Sequence, residues 1–231
     1  MLDQLFRVKQ FFVPKGKTVE AIFASDLSLG IKTHSVKVRG VNGENKYVIV
    51  PCQSGASGQL PCKFCSKIDD MPDYIYKPRK IFVATIYVKA DEPWEDSNKN
   101  VHYYYRNLYV TSTKIKEKTV DPYIKKYGSL VGAKFNVIRG EESTQYIGDL
   151  YNFVGFVPDI ASVVQERVTL FDPQQLFSPL TQAEVEEVFQ LAQLAKASDG
   201  MPKGVVSGSK NPVAKIPDKE VPSIDSEEIP F

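Results

Sequence analysis

Apolar and polar residues alternate along much of the first 170 positions, in short runs broken by Gly, Pro and Asn. The clearest case is His34-Ser35-Val36-Lys37-Val38-Arg39, followed by the turn-prone Gly40-Val41-Asn42-Gly43-Glu44-Asn45 and then Lys46-Tyr47-Val48-Ile49-Val50. Alternation on both sides of an Asn-Gly pair predicts a β-hairpin. Residues 4–25 read as strand-like stretches interrupted at Pro14-Lys15-Gly16-Lys17. Lys80 to Lys89 (KIFVATIYVK), Val101 to Val110 (VHYYYRNLYV) and Ala133 to Arg139 (AKFNVIR) read as further strands by their β-branched and aromatic content. An acidic loop over 90–100 joins the first two, a short helix is expected over Thr119 to Tyr127, and Asn152 to Val157 and Val163 to Leu170 add two candidate strands. Serial short strands of this kind predict a mainly β fold, a small barrel or sandwich.

The pattern changes at residue 178. Thr181 and Glu184 form a capping box, and Val185, Val188, Phe189 and Ala192 recur at helical spacing, so one helix is expected over 178–199 before Gly200. Residues 200–231 lose aromatic content and gain Pro, Gly, Ser and Lys, a composition that cannot offset its ordering entropy and predicts a disordered tail. The expected organisation is therefore a core over 1–177, with a cysteine-bearing subdomain at about 30–78, then the helix and the tail. No apolar run approaches the ~18 residues of a membrane span. The first residues lack a signal-peptide pattern, and three cysteines suit a reducing compartment, so a cytoplasmic location is expected.

The net charge of +1 conceals an asymmetry. Residues 1–139 hold 23 Lys and Arg against 13 Asp and Glu, and residues 140–231 hold 6 against 15. A basic body with an acidic end suits an anionic ligand and a tail that competes for its site.

All three cysteines lie in one stretch, PCQSGASGQLPCKFC, as Cys52, Cys62 and Cys65. Centring the hairpin on Gly43 opposes Val38 to Val48, Val36 to Val50 and His34 to Cys52. Opposed side chains have Cβ atoms roughly 4.5–5.5 Å apart, close enough to grip one ion. Cys62 and Cys65 form the Cys-x-x-Cys knuckle of a structural zinc site, so His34, Cys52, Cys62 and Cys65 are the expected closed ligand set for one Zn2+. His102, the other histidine, is the alternative fourth ligand. A redox pair lacks a βαβ context, and a zinc nuclease or deaminase lacks the pairing of His-x-Glu with Pro-Cys-x-x-Cys around an open metal position. No enzyme activity is expected.

Tyr103, Tyr105 and Tyr109 share one face of their strand, and His102, Tyr104, Arg106, Leu108 and Val110 the other. In the preceding strand Phe82, Ala84, Ile86 and Val88 form the expected buried face, with Tyr87 and Lys89 pointing outward. Tyr74, Tyr76, Lys77, Arg79 and Lys80 lie between the cysteine loop and this strand. Exposed aromatics among Lys and Arg suit single-stranded nucleic acid, whose bases stack on rings at ~1–3 kcal/mol each while cations follow the phosphates. From this local reasoning Lys80, Tyr87, Lys134 and Arg139 are candidate contacts.

The Cys-x9-Cys-x2-Cys spacing, the histidine before a hairpin and the basic strand after it resemble the zinc-containing single-stranded-DNA-binding, helix-destabilising protein of large tailed phages. YKPRKIFVATIYVKADEP, VHYYYRNL and GAKFNVIRGEESTQYIGDLY are similar to later segments of that family. The resemblance implies an OB-fold-like barrel with a zinc-bearing hairpin subdomain and a DNA groove lined by Tyr74, Tyr76, Phe82, Tyr105, Arg106 and Tyr146. It implies sequence-independent binding of single-stranded DNA in replication, recombination and repair, and it leaves self-association on DNA open. The end, DSEEIPF, resembles the acidic tip of bacterial single-stranded-DNA-binding proteins, which implies that Asp225, Glu227, Glu228, Ile229, Pro230 and Phe231 recruit replication and recombination proteins. The rival expectation is a sequence-specific RNA-binding or transcription regulatory protein that uses the zinc module as a scaffold.

Overall fold

A computed structural model describes residues 8–40, 43–54 and 62–199. The proposed tail at 200–231, with its partner-binding residues, lies outside the described residues. Seven strands form one antiparallel sheet: β1 Thr18–Phe23, β2 Ile31–Arg39, β3 Asn45–Pro51, β4 Arg79–Glu95, β5 Val101–Ser112, β6 Ala133–Ile138 and β7 Leu150–Phe156. The order is β3-β2-β4-β1-β6-β7, with β5 on the other edge of β4. β4 is long enough to pair with β2 through Arg79, Lys80 and Ile81 and with β1 through Ile86, Tyr87 and Val88. Five helices follow: α1 Thr113–Thr119, α2 Asp121–Tyr127, α3 Ile160–Val164, α4 Pro173–Leu176 and α5 Gln182–Asp199. The mainly β expectation holds. Among the described residues no helix is long and apolar enough to cross a membrane.

The sheet curls around a core of Phe23, Ile86, Tyr109, Phe135 and Tyr151. Phe23 meets Tyr109 and Phe135 edge-on at 5.1 and 5.7 Å, and Tyr109 of β5 reaches Tyr151 of β7 across the core at 6.4 Å. Edge-to-face contacts at such distances suit the ring quadrupoles. A second core lies on the hairpin, where Val36, Val38, Val48 and Val50 pack against Cys62, Phe64, Met71 and Ile75, and α5 closes over them with Val185, Val188 and Ala192. α5 begins on its capping box: Thr181 N–H donates to Glu184 Oε2 at 2.9 Å and Glu184 N–H to Thr181 Oγ1 at 3.3 Å. The apolar stripe of α5 thus belongs to the cysteine-bearing subdomain.

Several expectations need correction. The hairpin opposes His34 to Val50 and Val36 to Val48, so the expected His34–Cys52 pair does not form. The loop decides this: Gly40 N–H donates to Glu44 O at 2.7 Å and Gly43 N–H to Gly40 O at 3.0 Å, which moves the centre of the turn by one residue and the pairing register by two. Cys52 sits opposite Lys32, its N–H donating to Lys32 O at 2.8 Å. The slip is even-numbered, so every side chain keeps its expected face. The expected acidic loop over 90–100 is mostly strand, turning only where Asp96 accepts from the Asn98 and Asn100 N–H groups. The short helix expected over 119–127 forms as α2, with Pro122 in its first turn, and an unexpected helix, α1, precedes it over Thr113–Thr119.

Val163 to Leu170 is not a strand. It leaves α3 and drapes over the outer face of β4, where side chains take its backbone donors: Thr169 N–H donates to Tyr87 Oη at 3.0 Å and Phe171 N–H to Thr85 Oγ1 at 2.8 Å. Ile22, Tyr87, Tyr104 and Val164 form a cluster on this face, and Ile81, Val83, Leu108, Leu176 and Phe177 form another. Both faces of β4 are therefore buried. Ala84, Ile86 and Val88 face the core as expected, Phe82 is half-buried, and Tyr87 is fully buried instead of pointing outward.

Candidate functional site

The cysteine cluster is assembled by three separate segments. His34 comes from the middle of β2, Cys52 from the residue after β3, and Cys62 and Cys65 from the knuckle that enters a one-turn 3-10 helix at Cys65–Lys67. The ligand atoms of all four lie within 4.8 Å of one another. His34 Nε2 is 3.5 Å from Cys62 Sγ and 3.4 Å from Cys65 Sγ, and Cys52 Sγ is 3.7 Å from Cys65 Sγ. No disulfide forms, so the sulfurs remain available as ligands. The set can hold one metal ion. His102 takes no part: its ring bonds Glu166 at 2.8 Å and Asp96 at 3.3 Å and stacks on Trp94 at 4.5 Å.

His34 is fully buried, and burial lowers its pKa, which favours the neutral imidazole. Its Nδ1–H donates to the carbonyl of Tyr76 at 2.8 Å, which turns the Nε2 lone pair toward the sulfurs. Burial and the neighbouring Cys52 and Cys62 sulfurs push the Cys65 thiol up to about 11. Ser54 Oγ stands 2.9 Å from Cys52 Sγ and accepts from Lys32 Nζ at 3.1 Å. Around the site, Phe64 packs on Phe189 of α5 at 4.9 Å and limits access of water.

The outward face of the same hairpin carries the tyrosines. Residues 74–76 add a short strand-like edge to β2, with Ile75 bridged to Val36, Lys37 N–H donating to Tyr74 O and Tyr76 N–H donating to Ser35 O. Pairing of Lys37 with Tyr47 on β3 then sets a row of Tyr74, Lys37 and Tyr47 across three strands. The Tyr47 and Tyr76 rings lie 5.8 Å apart, and the Lys37 ammonium stands 5.5 Å from the Tyr74 ring. Arg39 lies two residues further along the Lys37 face of β2. A cavity of about 120 Å³ is lined by Tyr47, Ile49, Leu108, Leu176 and Phe177.

The structure brings together only some of the expected contacts. Tyr74 and Tyr76 share the hairpin face. Lys80 and Phe82 form a second group, the Phe82 ring lying between the Lys80 and Lys116 ammoniums at 5.5 and 5.1 Å. Tyr105 stacks on Trp94 at 5.2 Å beneath Lys9, and Arg106 covers Phe171 and donates to Thr169 Oγ1. Lys134 is ion-paired to Glu20 at 2.7 Å. Tyr146 is half-buried against Phe12 and Arg139.

Two candidates do not line an open surface. Tyr87 is buried beneath the draped segment. Arg139 is 2% exposed, and its guanidinium donates to Val13 O at 3.1 Å and Ser143 O at 2.9 Å, pinning the N-terminal segment to the end of β6. Sequence reasoning missed Lys37, Arg39 and Tyr47. The signal was present: they are the polar half of the alternation whose apolar half marked the core.

Comparison with protein-family models, with curated proteins and with solved structures returns no match.

Proposed function

We propose that this chain is a sequence-tolerant single-stranded-DNA-binding protein without catalytic activity, whose curled sheet is an OB-like barrel and whose hairpin subdomain is held by a structural zinc ion. Three ligand-atom spacings of 3.7, 3.5 and 3.4 Å support zinc. A tetrahedron with the usual Zn–S and Zn–N bond lengths has S···S and S···N edges of about 3.8 and 3.6 Å. Three thiolates and an imidazole fill all four positions, so the ion would crosslink β2, β3 and the knuckle and leave no place for a reacting water.

The observation that carries the functional reading is the row Tyr74–Lys37–Tyr47 with Tyr76 beside it. Bases stack on tyrosine faces, and the lysine between the rings, with Arg39 on the same face of its strand and Lys77 following Tyr76 in the chain, follows the phosphates. The His34–Tyr76 hydrogen bond ties this face to the metal centre, so the ion orders the rings from behind. Binding should be salt-sensitive, because each neutralised phosphate releases counterions. The tail residues Asp225 to Phe231 would recruit replication and recombination proteins, and loss of residues 214–231 should abolish recruitment without weakening DNA binding.

The test is a tyrosine-fluorescence titration of the full chain with oligo-dT at several salt concentrations, with metal content measured on the same sample and with RNA and duplex DNA as competitors. Quenching that saturates, weakens with salt and resists duplex competition supports the reading. Preference for RNA or for one sequence moves the chain to the rival class of regulatory proteins, and no quenching at low salt refutes nucleic-acid binding.

A further inference from the structure

The last residue of α5, Asp199, places its carboxylate on the tyrosine face. Lys37 Nζ and Tyr74 Oη donate to Asp199 Oδ2 at 2.8 and 3.0 Å, and Asn45 Nδ2 donates to Oδ1 at 2.7 Å. Beside it, Arg39 Nη1 donates to Ser198 Oγ at 3.0 Å. The donors come from β2, β3 and the 74–76 edge, so they are convergent without α5. An anion with two acceptor oxygens fits between them, and the two non-bridging oxygens of a phosphodiester have the same disposition and charge as a carboxylate.

Asp199 is also poorly suited to its own helix. A negative side chain in the last turn faces the negative end of the helix dipole, which favours cations there. What holds it is the ion pair with Lys37 together with the Tyr74 and Asn45 hydrogen bonds, and the ion pair is partly open to water, with side chains 25% and 38% exposed. A solvent-exposed ion pair of this kind contributes little, and a phosphate that takes over the same three donors can displace it.

We propose that Lys37, Asn45 and Tyr74 form a phosphate subsite of the single-strand surface, and that Asp199 is its built-in occupant, a latch that a backbone phosphate must displace. The proposal rests on the nucleic-acid reading and adds a self-inhibitory contact to it. While Asp199 stays in place the charge of Lys37 is already neutralised, so a strand that binds without displacing it makes no phosphate contact at Lys37 and releases no counterion there. Removing the carboxylate exposes one more cation to the strand.

Asp199→Asn keeps the shape and removes the charge. In the full chain it should tighten binding of a short oligo-dT by about two- to fivefold. The slope of log K against log salt should steepen by about 0.7, the value for one extra phosphate contact on a single strand. Adding Lys37→Ala to Asp199→Asn should return the slope to that of the unmodified chain. Equal metal content and equal melting temperature in all three proteins certify the fold. Binding by the unmodified chain with no change of affinity or slope in Asp199→Asn would overturn the latch alone. Failure of the unmodified chain to bind any single strand would overturn the underlying reading and the latch with it.

Discussion

The docking of α5 on the cysteine-bearing hairpin is testable with a matched pair of substitutions. Val188 is fully buried between α5 and the hairpin core, whereas Leu194, two turns on, is 55% exposed. Val188→Ala deletes two methyl groups. Burial contributes about 0.8 kcal/mol for each, and the cavity left behind adds to this, for a total of about 2–3 kcal/mol. Leu194→Ala deletes more carbon, yet its cost should stay within about 0.5 kcal/mol, because the side chain is already in water and alanine is the better helix former. Urea unfolding of the metal-loaded full chain, followed by circular dichroism, measures both. A loss under about 0.5 kcal/mol for Val188→Ala, or a larger loss for Leu194→Ala, would show that α5 does not pack on this face.

Other outcomes follow from the same geometry. His102 has its pKa raised, first by the hydrogen bond to Asp96 and then by Glu166. Its contribution to stability is therefore complete below the ordinary histidine value and is lost as pH rises through the raised folded value. Unfolding free energies between pH 5.5 and 8 should fall with pH more steeply in the parent than in His102→Gln, and parallel curves would contradict this. Tyr87→Phe should cost about 0.5–1.5 kcal/mol, since it strips the bond to the Thr169 backbone. It should leave oligo-dT affinity unchanged, whereas Tyr47→Ala should weaken it by ~1–3 kcal/mol; equal effects in a titration would undo the distinction between buried and stacking tyrosines. A strong chelator, or Cys62→Ser, should make the hairpin subdomain protease-sensitive and weaken oligo-dT binding, with zinc readdition restoring only the chelated protein.

Much of this architecture was legible locally. The alternation in β2 and β3 marks one apolar face, and a face survives any even slip of register. The Cys-x-x-Cys knuckle and the capping box at Thr181 are short-range motifs whose partners lie within three residues, so no distant contact can disguise them. Those signals named His34, Cys52, Cys62 and Cys65 together, although the His34–Cys52 pairing used to reach His34 does not form and only the shared face of the two residues survives. Other features depended on segments distant in the chain. The hairpin register was decided by hydrogen bonds inside the 40–44 loop, which the Asn-Gly pair alone did not specify.

The exposure of Tyr87 and Arg139 was decided elsewhere. A strand shows its alternation, but not what covers the second face, and here residues 164–177 bury the side of β4 that would otherwise have met solvent. Arg139 reads as a surface cation until the carbonyls of Val13 and Ser143 close on it. The latch at Asp199 has no local signature, since its three donors stand 125 to 162 residues away in sequence. Periodicity and spacing therefore determined most of the strands, the capped helix and the candidate ligand residues, because those signals lie in neighbours along the chain. Which polar side chains face solvent, and which ion meets which, was settled only by tertiary packing, because burial and charge pairing depend on whatever segment arrives from far away.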